Sequence, residues 1–404
     1  MSIDGPGTKP TFVYLDSCDY SALSKPQLAE SEAQQLATLK ALKRSGDAVF
    51  VFSLAHISEM SPLDHQHSTG AVSRTKLLVE LCGRNTVISV DRLMKAELSR
   101  LVARNPQPVG VIDTNGQWFP DMGSLISPLD ELDLVAKVQE ETDKYAFNRK
   151  TRRMLKSSVT NKRGNIRNEM KDGASRMDYS DLTDRVPMRL QDFTVIKNFA
   201  LGRASREEAE KAFLESLRDP SYMAQWFIHH HHQLGAIVEW VRRPAKEIQE
   251  NCNETAKELR EQLAEFPVTD RAEARKRLSG TPWAELKQRG MINIVNRQLK
   301  ILLPGSPVCD DISAIEEYCP GIFVCLSALF DSLQHSHAER YREMKASDFV
   351  DFIHALYIPY VSYFRADKYM CSILQPLAKR FGTQVVASPA KLITELPEPK
   401  HRII

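Results

Sequence analysis

Carboxylates with a spacing suited to metal chemistry stand near the C-terminal end of this sequence. Asp348 and Asp351 are three residues apart in the stretch 347–355, so a helix there would place both on one face. A β-prone run rich in Tyr, Val and Phe follows and ends on Asp367. Carboxylates that gather in one place repel one another unless a divalent cation lies among them. The stretch therefore predicts a cation-binding site, provided that other parts of the chain bring acids to it.

Two further acids follow predicted strands near the N-terminus. Residues 11–15 form a short apolar run that Asp16 closes, and residues 48–53 form a second such run. The segment 54–60 is typical of a helix and places Glu59 near the end of the second strand. Sites in parallel sheets form where the strands end. We therefore expect Asp16, Glu59 and Asp367 at one edge of the sheet, with Asp348 and Asp351 on a nearby helix.

Alternating strand and helix signals at both ends of the chain predict the elements that would position these acids. The expected elements are a turn at 17–20, helices at 26–44 and 72–82, a short strand or extended segment at 86–90, and a last strand at 383–387 with a helical tail. Between about 91 and 337 the pattern is mainly helical and charged, with a break at 304–307 and a kink at Pro320–Gly321. This order predicts a parallel sheet covered by helices.

Composition limits the classes of protein to consider. The chain has 404 residues, 54 basic and 52 acidic, and a net charge of +2, which does not indicate a globally basic nucleic-acid binder. The seven cysteines include no CxxC pair, which favours reduced thiols in the cytoplasm. The N-terminus has no apolar signal core, and no run approaches the length of a membrane span. A cytoplasmic protein without membrane contacts is the prediction.

Three motifs, in this order, resemble those of the PIN-domain nuclease family. Residues 14–18 (YLDSC) are similar to the family's opening strand that ends in Asp. Residues 53–59 (SLAHISE) are similar to its strand–Ser–helix–Glu element, and 351–355 with 363–367 are similar to its Asp helix and its last acidic strand. The resemblance covers roughly 11–95 and 340–390. Cys18 stands where the family often has Asn.

The resemblance implies a fold. The expected class is α/β: a PIN-like α/β/α sandwich with a central, mainly parallel sheet and a large all-α inserted domain. The expected division is a disordered lead-in at 1–10, the first part of the PIN-like domain at 11–95, the helical insertion at 96–336, and the second part of the domain at 337–404.

The resemblance also implies metal-dependent hydrolysis of phosphodiesters, most often in RNA, and hence an endoribonuclease. Asp16, Glu59 and Asp351 would bind one or two Mg²⁺ or Mn²⁺ ions, and Asp367 would be the fourth acid, directly or through water. Asp348 would support or replace Asp351. Ser17 and Ser53 would orient the metal-binding side chains without binding the metal themselves.

Each signal has a simpler structural interpretation. Asp16 could cap the next helix, and Glu59 could be a solvated helix residue. His354, one turn after Asp351, is expected to pack beside the site rather than bind metal. The run His229–His232 points in four directions around a helix, so at most two of its side chains could share a metal ion.

A basic run in the middle of the chain is either a solvated surface or a clamp for the phosphate backbone of RNA. Its candidate nucleic-acid-binding residues are Arg149, Lys150, Arg152, Arg153, Lys156 and Arg163. The helical insertion could select substrate, mediate homo-oligomer assembly, bind a regulatory partner, or hold the nuclease off as in a toxin or defence effector. A DNA nuclease of related fold and a non-catalytic PIN-like scaffold that acts through protein binding remain open as alternatives.

Overall fold

The computed structural model describes residues 10–60, 68–114, 118, 150, 154, 188–222, 281–337 and 346–396. The chain divides into two compact units, one of residues 1–120 with 232–404 and the other of residues 121–231. The first unit contains both chain ends and the sheet. No helix in these described ranges is long and apolar enough to cross a membrane.

A parallel sheet of four strands forms the centre of the first unit. Its strands are β1 (Thr11–Tyr14), β2 (Ala48–Val51), β5 (Tyr363–Arg365) and β6 (Gln384–Val386), in the order β2-β1-β5-β6. Val13 and Tyr14 pair with Tyr363 and Phe364, so the two ends of the chain meet at the middle of the sheet. The prediction of a mainly parallel sheet built from both ends is confirmed.

A second, two-stranded sheet extends the strand order beyond β2. Strands β3 (Thr86–Val87) and β4 (Ile112–Asp113) pair antiparallel, and a parallel bridge joins Phe52 to Thr86. The sequence of 86–90 fits either a strand or an extended segment, and no sequence pattern indicates β4. Two residues per strand are too few for a hydrophobic alternation to show.

Helices cover both faces of the sheet. Tyr14, Val51 and Phe364 are buried in one large apolar cluster with the helices of the second half of the chain. Val13 and Phe50 alternate with them along the strands and are also fully buried. This burial on both faces explains why the strands are continuous apolar runs.

In the described residues of its first half, the chain contributes five helices to this unit. They are α1 (Ser17–Leu23), α2 (Glu30–Ser45), α3 (Leu54–Met60), α4 (Ser68–Cys82) and α5 (Val90–Ala103). The predicted turn at 17–20 is wrong, because Asp16 caps a helix that begins at Ser17. The predicted helix at 54–60 has the expected bounds, and α2 begins at Glu30 rather than at Pro26.

The described residues of the second half contribute six helices to the same unit. They are α8 (Thr281–Leu302), α9 (Ile312–Tyr318), α10 (Pro320–His337), α11 (Ala346–Ala355), α12 (Lys368–Lys379) and α13 (Pro389–Glu395). Met291, Ile315 and Val324 share the apolar cluster of the sheet. Apolar residues of α8, α9 and α10 therefore pack in the core of the sheet, within the range 96–336 that was expected to form the insertion. Helix α12 was not predicted.

A buried carboxylate joins three distant parts of this unit. Glu97 of α5 is fully buried and accepts the backbone N–H groups of Gly321 (2.7 Å) and Ile322 (2.9 Å) at the start of α10. Tyr360, in a single 3₁₀ turn at Ile358–Tyr360, donates its hydroxyl to the same carboxylate. The Glu97 carboxylate thus satisfies N–H groups at the start of α10 that have no partner inside the helix.

The second unit contains a helical hairpin of α6 (Leu190–Ala200) and α7 (Arg206–Leu217). The buried Asp192 accepts hydrogen bonds from Arg189 (2.5 Å) and Ser216 (2.6 Å), which ties the two helices together. Both helices lie between residues 91 and 337, where the sequence pattern predicts mainly helical structure.

Candidate active site

A small cleft opens where β1 and β5 end. Its lining combines the polar side chains of Asp16, Asp351, His354 and Arg365 with an apolar wall formed by residues that include Phe364 and Met370. Parallel strands carry ligands at their carboxyl ends, at the point where the strand order departs in opposite directions. The β1–β5 pair is such a point, because β2 lies on one side of it and β6 on the other.

Asp16 has two structural contacts at the end of β1. Its Oδ1 atom accepts the N–H of Cys18 (2.9 Å) and so caps α1, and its Oδ2 atom lies 3.3 Å from Nη1 of Arg365. The backbone N–H of Asp16 is bound in turn by Asp19 (3.1 Å). The capping interpretation of Asp16 is confirmed, and the same side chain also faces the cleft.

Asp367 stands at the other strand end and caps α12. Its carboxylate accepts the N–H of Met370 at 2.7 Å. Capping leaves carboxylate lone pairs available, since each ionised carboxylate can accept about four hydrogen bonds. The negative charge of Asp367 acts on Asp351 and on Arg365, which places it beside the same cleft.

Asp351 is the acid with the most perturbed titration in the cleft. Burial raises the pKa of its carboxyl group to about 8, and the negative charges of Asp16, Glu59 and Asp367 add to this effect while His354 opposes it. None of the described residues forms a hydrogen bond or an ion pair with this carboxylate. Asp351 is therefore a carboxylate that a proton or a cation would stabilise.

Glu59 contacts the cleft through His354. Nε2 of His354 donates to Oε2 of Glu59 (3.0 Å), and Ser17 donates its hydroxyl to the same oxygen (2.5 Å). Burial acts to raise the pKa of Glu59, yet the hydrogen bond and charge of His354 outweigh it and lower this pKa to about 2. Glu59 is accordingly ionised, and it raises the pKa of His354 despite the burial of that ring.

A chain of hydrogen bonds continues behind His354. Its Nδ1 atom lies 2.5 Å from the hydroxyl of Tyr14, which lies 2.6 Å from the hydroxyl of Ser53. The N–H of Ser53 donates to Nδ1 of His56 (3.0 Å), and Nε2 of His56 donates to the carbonyl of Leu15 (2.7 Å). Burial and the charge of His354 lower the pKa of His56 to about 3, so this second ring is neutral.

The structure thus brings together several predicted residues and separates others. Ser17 contacts Glu59 as an orienting group would, whereas Ser53 reaches Glu59 only through Tyr14 and His354. Asp348 is buried one turn before Asp351 on α11 and is not among the side chains that line the cleft in the described part of the chain.

The predicted nucleic-acid-binding run is described only in part. Lys150 is an exposed helical residue of the second unit. Arg149, Arg152, Arg153, Lys156 and Arg163 lie outside the described residues, as does the run His229–His232.

No sequence pattern indicated Arg365, Asp19, Tyr14 or His56 as site residues, and His354 was expected to pack beside the site rather than bind metal. The signal for Arg365 was weak, because its partner Asp16 is 349 positions away. Its position two residues before Asp367, on a short strand, is the only local indication that both side chains leave the same strand end.

The donor chemistry of the cleft suits Mg²⁺ or Mn²⁺, since Asp16, Glu59, Asp351 and Asp367 all offer hard carboxylate oxygens. Asp351 has no hydrogen-bond or ion-pair partner among the described residues, so a bound proton or cation would stabilise it. In the described ranges, no group of three or more His, Cys, Asp or Glu side chains is already arranged around one point as metal ligands. Cation binding therefore requires Asp16 and Glu59 to share or exchange their contacts with Arg365 and His354.

Comparisons with known proteins add no assignment. No protein-family model, curated protein or solved structure matches this chain.

Proposed function

We propose that this protein is a metal-dependent nuclease of PIN-like fold that hydrolyses phosphodiester bonds, with RNA as its substrate and endonucleolytic cleavage as its mode. One observation carries the proposal: acids from opposite ends of the chain act on one carboxylate in one cleft. The charges of Asp16, Glu59 and Asp367 all disfavour ionisation of Asp351, which has no compensating partner among the described residues.

The fold supports the same proposal. A PIN-like sandwich requires a parallel sheet with helices on both faces and acids at the strand ends. The order β2-β1-β5-β6, with Asp16 after β1 and Asp367 after β5, supplies these features.

Each group in the cleft has a part in such chemistry. A bound divalent cation would lower the pKa of a water molecule and neutralise charge on the phosphate. Asp16, Glu59 and Asp351 would hold this cation, and Asp367 would hold it directly or through water. Ser17 and His354 fix the orientation of Glu59 by donating to the same oxygen. Arg365 and His354 are the cations of the cleft that could face a phosphate oxygen.

The test is cleavage of labelled single-stranded RNA and of a DNA oligonucleotide of matched sequence, each with Mn²⁺, with Mg²⁺ and with EDTA. We expect metal-dependent internal cuts in RNA that Asp16→Asn and Asp351→Asn lower by about a hundredfold or more. Asp310→Asn is the matched control, because Asp310 is an exposed carboxylate outside the cleft.

The outcomes separate the alternatives. Preferential cleavage of the DNA strand would assign a DNA nuclease of related fold. Hydrolysis that both cleft variants leave unchanged would remove the nuclease from this site.

The contacts of Arg365 and His354 favour a second candidate, a non-catalytic PIN-like scaffold. These two side chains already compensate Asp16 and Glu59 within the protein, as they would in a site kept for its shape. If the protein is a scaffold, we expect no cleavage and no Mn²⁺ binding by calorimetry. If it is a nuclease, we expect both cleavage and Mn²⁺ binding.

A further inference from the structure

Arg365, the last residue of β5, bridges two acids at the mouth of the cleft. Only 10% of its side chain is exposed. Its Nη2 atom lies 2.9 Å from Oδ1 of Asp19 and 3.3 Å from Sγ of Cys18, and its Nη1 atom lies 3.3 Å from Oδ2 of Asp16. Its Nε atom is buried and has no hydrogen-bond partner among the described residues. The guanidinium therefore uses one end of its fork for each carboxylate and leaves a donor unsatisfied.

The two carboxylates differ in how firmly they are held. Asp19 is 2% exposed, and its carboxylate also accepts the backbone N–H of Asp16. Asp16 is 22% exposed and lines the cleft. The shorter contact is with the buried acid, so Asp19 anchors Arg365 while the contact with Asp16 is the one that can change.

A guanidinium remains charged at every physiological pH. It therefore acts as a permanent positive charge against Oδ2 of Asp16, one of the oxygens that a divalent cation would need. Two cations that require the same carboxylate in a half-buried site repel each other and divide its lone pairs.

We propose that Arg365 is a positioning residue that acts through Asp16, competes with the divalent cation for this carboxylate, and so limits the metal affinity of the cleft. The inference rests on the proposed function, since it concerns the cation of that site. The anchor on Asp19 keeps Arg365 in place when the cation arrives, so the competition is a fixed property of the fold.

The test measures Mn²⁺ binding to the full chain without nucleic acid, by calorimetry. Arg365→Met keeps much of the side chain's length and removes its charge, and we expect it to bind Mn²⁺ about tenfold more tightly than the wild type. Arg380→Met is the matched control. Arg380 directly follows α12, is exposed, pairs with Glu316 and does not line the cleft. The Kd of Arg380→Met for Mn²⁺ should therefore equal that of the wild type.

A second variant separates competition from simple damage. Asp19→Asn retains an oxygen that can accept the Asp16 N–H but removes the anchoring charge, so Asp16 becomes the remaining carboxylate for Arg365. We expect Mn²⁺ binding to weaken several-fold, opposite in direction to Arg365→Met. A purely structural role would weaken binding in both variants.

The results decide between this role and the proposed function. Opposite shifts in Kd support the role of Arg365. If the wild type and Arg365→Met bind Mn²⁺ equally tightly and Asp16→Asn does not bind it, the proposed role of Arg365 is wrong and the metal site is supported. An absence of Mn²⁺ binding from both overturns the metal site and this role together. If Arg365→Met does not fold, Asp19→Asn decides, and unchanged or tighter binding overturns the proposal.

Discussion

Glu97 and Asp351 are two buried acids of the same unit, and their surroundings differ in an instructive way. Burial raises the pKa of Glu97 to about 7 and that of Asp351 to about 8. By titration alone, either could be a functional group.

Their partners differ completely. Glu97 accepts two backbone N–H groups and the hydroxyl of Tyr360, and these donors oppose the effect of burial. Asp351 has no such donor among the described residues, and the neighbouring charges of Asp16, Glu59 and Asp367 add to the effect of burial. Hydrogen-bond donors of the fold stabilise the carboxylate of Glu97, whereas a proton or a ligand would stabilise that of Asp351.

A raised pKa shows that the charged form of an acid is destabilised, but it does not show whether that acid has a function. The set of donors around the carboxylate makes the distinction. Hydrogen-bond donors offset part of the cost of burying a carboxyl group, whereas a carboxyl group without donors bears that cost in full until a proton or ligand binds. Substitutions at the two positions should therefore change stability in opposite directions.

The largest expected effect is at the glycine that faces Glu97. A Cβ atom at Gly321 would lie 2.4 Å from the carbonyl oxygen of Leu356 and 2.8 Å from Oε1 of Glu97. Gly321→Ala must move backbone or break the carboxylate's hydrogen bonds, so we expect a loss of about 3 kcal/mol or more in the free energy of unfolding by urea. Gly110→Ala is the control, because a Cβ atom there meets nothing within 4 Å. Equal stability of the two variants would contradict the stabilising role of the hydrogen bonds between Glu97 and the start of α10.

Glu97→Gln should lower the free energy of unfolding by about 2 kcal/mol at pH 5, because an amide NH₂ group would face one of the N–H donors. The raised pKa adds a pH dependence. Wild-type stability from this group is complete below the unfolded pKa of 4.5 and is lost as pH rises towards 7, since the unfolded chain releases its proton first.

The difference between the wild type and Glu97→Gln should therefore shrink between pH 5 and pH 8 in urea titrations. Glu285→Gln, at an exposed position of α8, should show no such trend. A difference that widens with pH would mean that burial does not dominate the titration of Glu97.

These contrasts also show what the sequence could reveal. Asp16 and Asp367 could be predicted because each follows an apolar run that forms a parallel strand. Glu59 could be predicted because it lies on the helix after such a run. Parallel strands end at one edge of the sheet, which brings the three acids together. The strand β2 and the helix α3 were likewise predictable, since local periodicity determines them. The order of the motifs predicted that both ends of the chain build one sheet.

The compensating partners could not be predicted in the same way. Arg365 pairs with Asp16 across 349 positions, His354 with Glu59 across 295, and Glu97 with Gly321 across 224. Such pairs depend on how helices pack, which single-residue patterns do not encode. The placement of α8–α10 in the sheet's core was missed for the same reason, because their charged faces resemble those of a separate helical domain.

The smallest expected effect is the most diagnostic, because its sign is unusual for a buried position. Asp351→Asn removes a charge that burial and three neighbouring acids disfavour, so we expect it to raise the free energy of unfolding by about 1–2 kcal/mol at pH 8 in EDTA. The gain should vanish well below the unfolded pKa of 3.8, where Asp351 is protonated in both states, and grow as pH rises towards the folded pKa of about 8. The same variant should lose Mn²⁺ binding, and saturating Mn²⁺ should reverse the order of stability by stabilising only the wild type. A variant less stable than the wild type at pH 8 without metal would show that Asp351 is compensated after all, and the contrast with Glu97 would no longer hold.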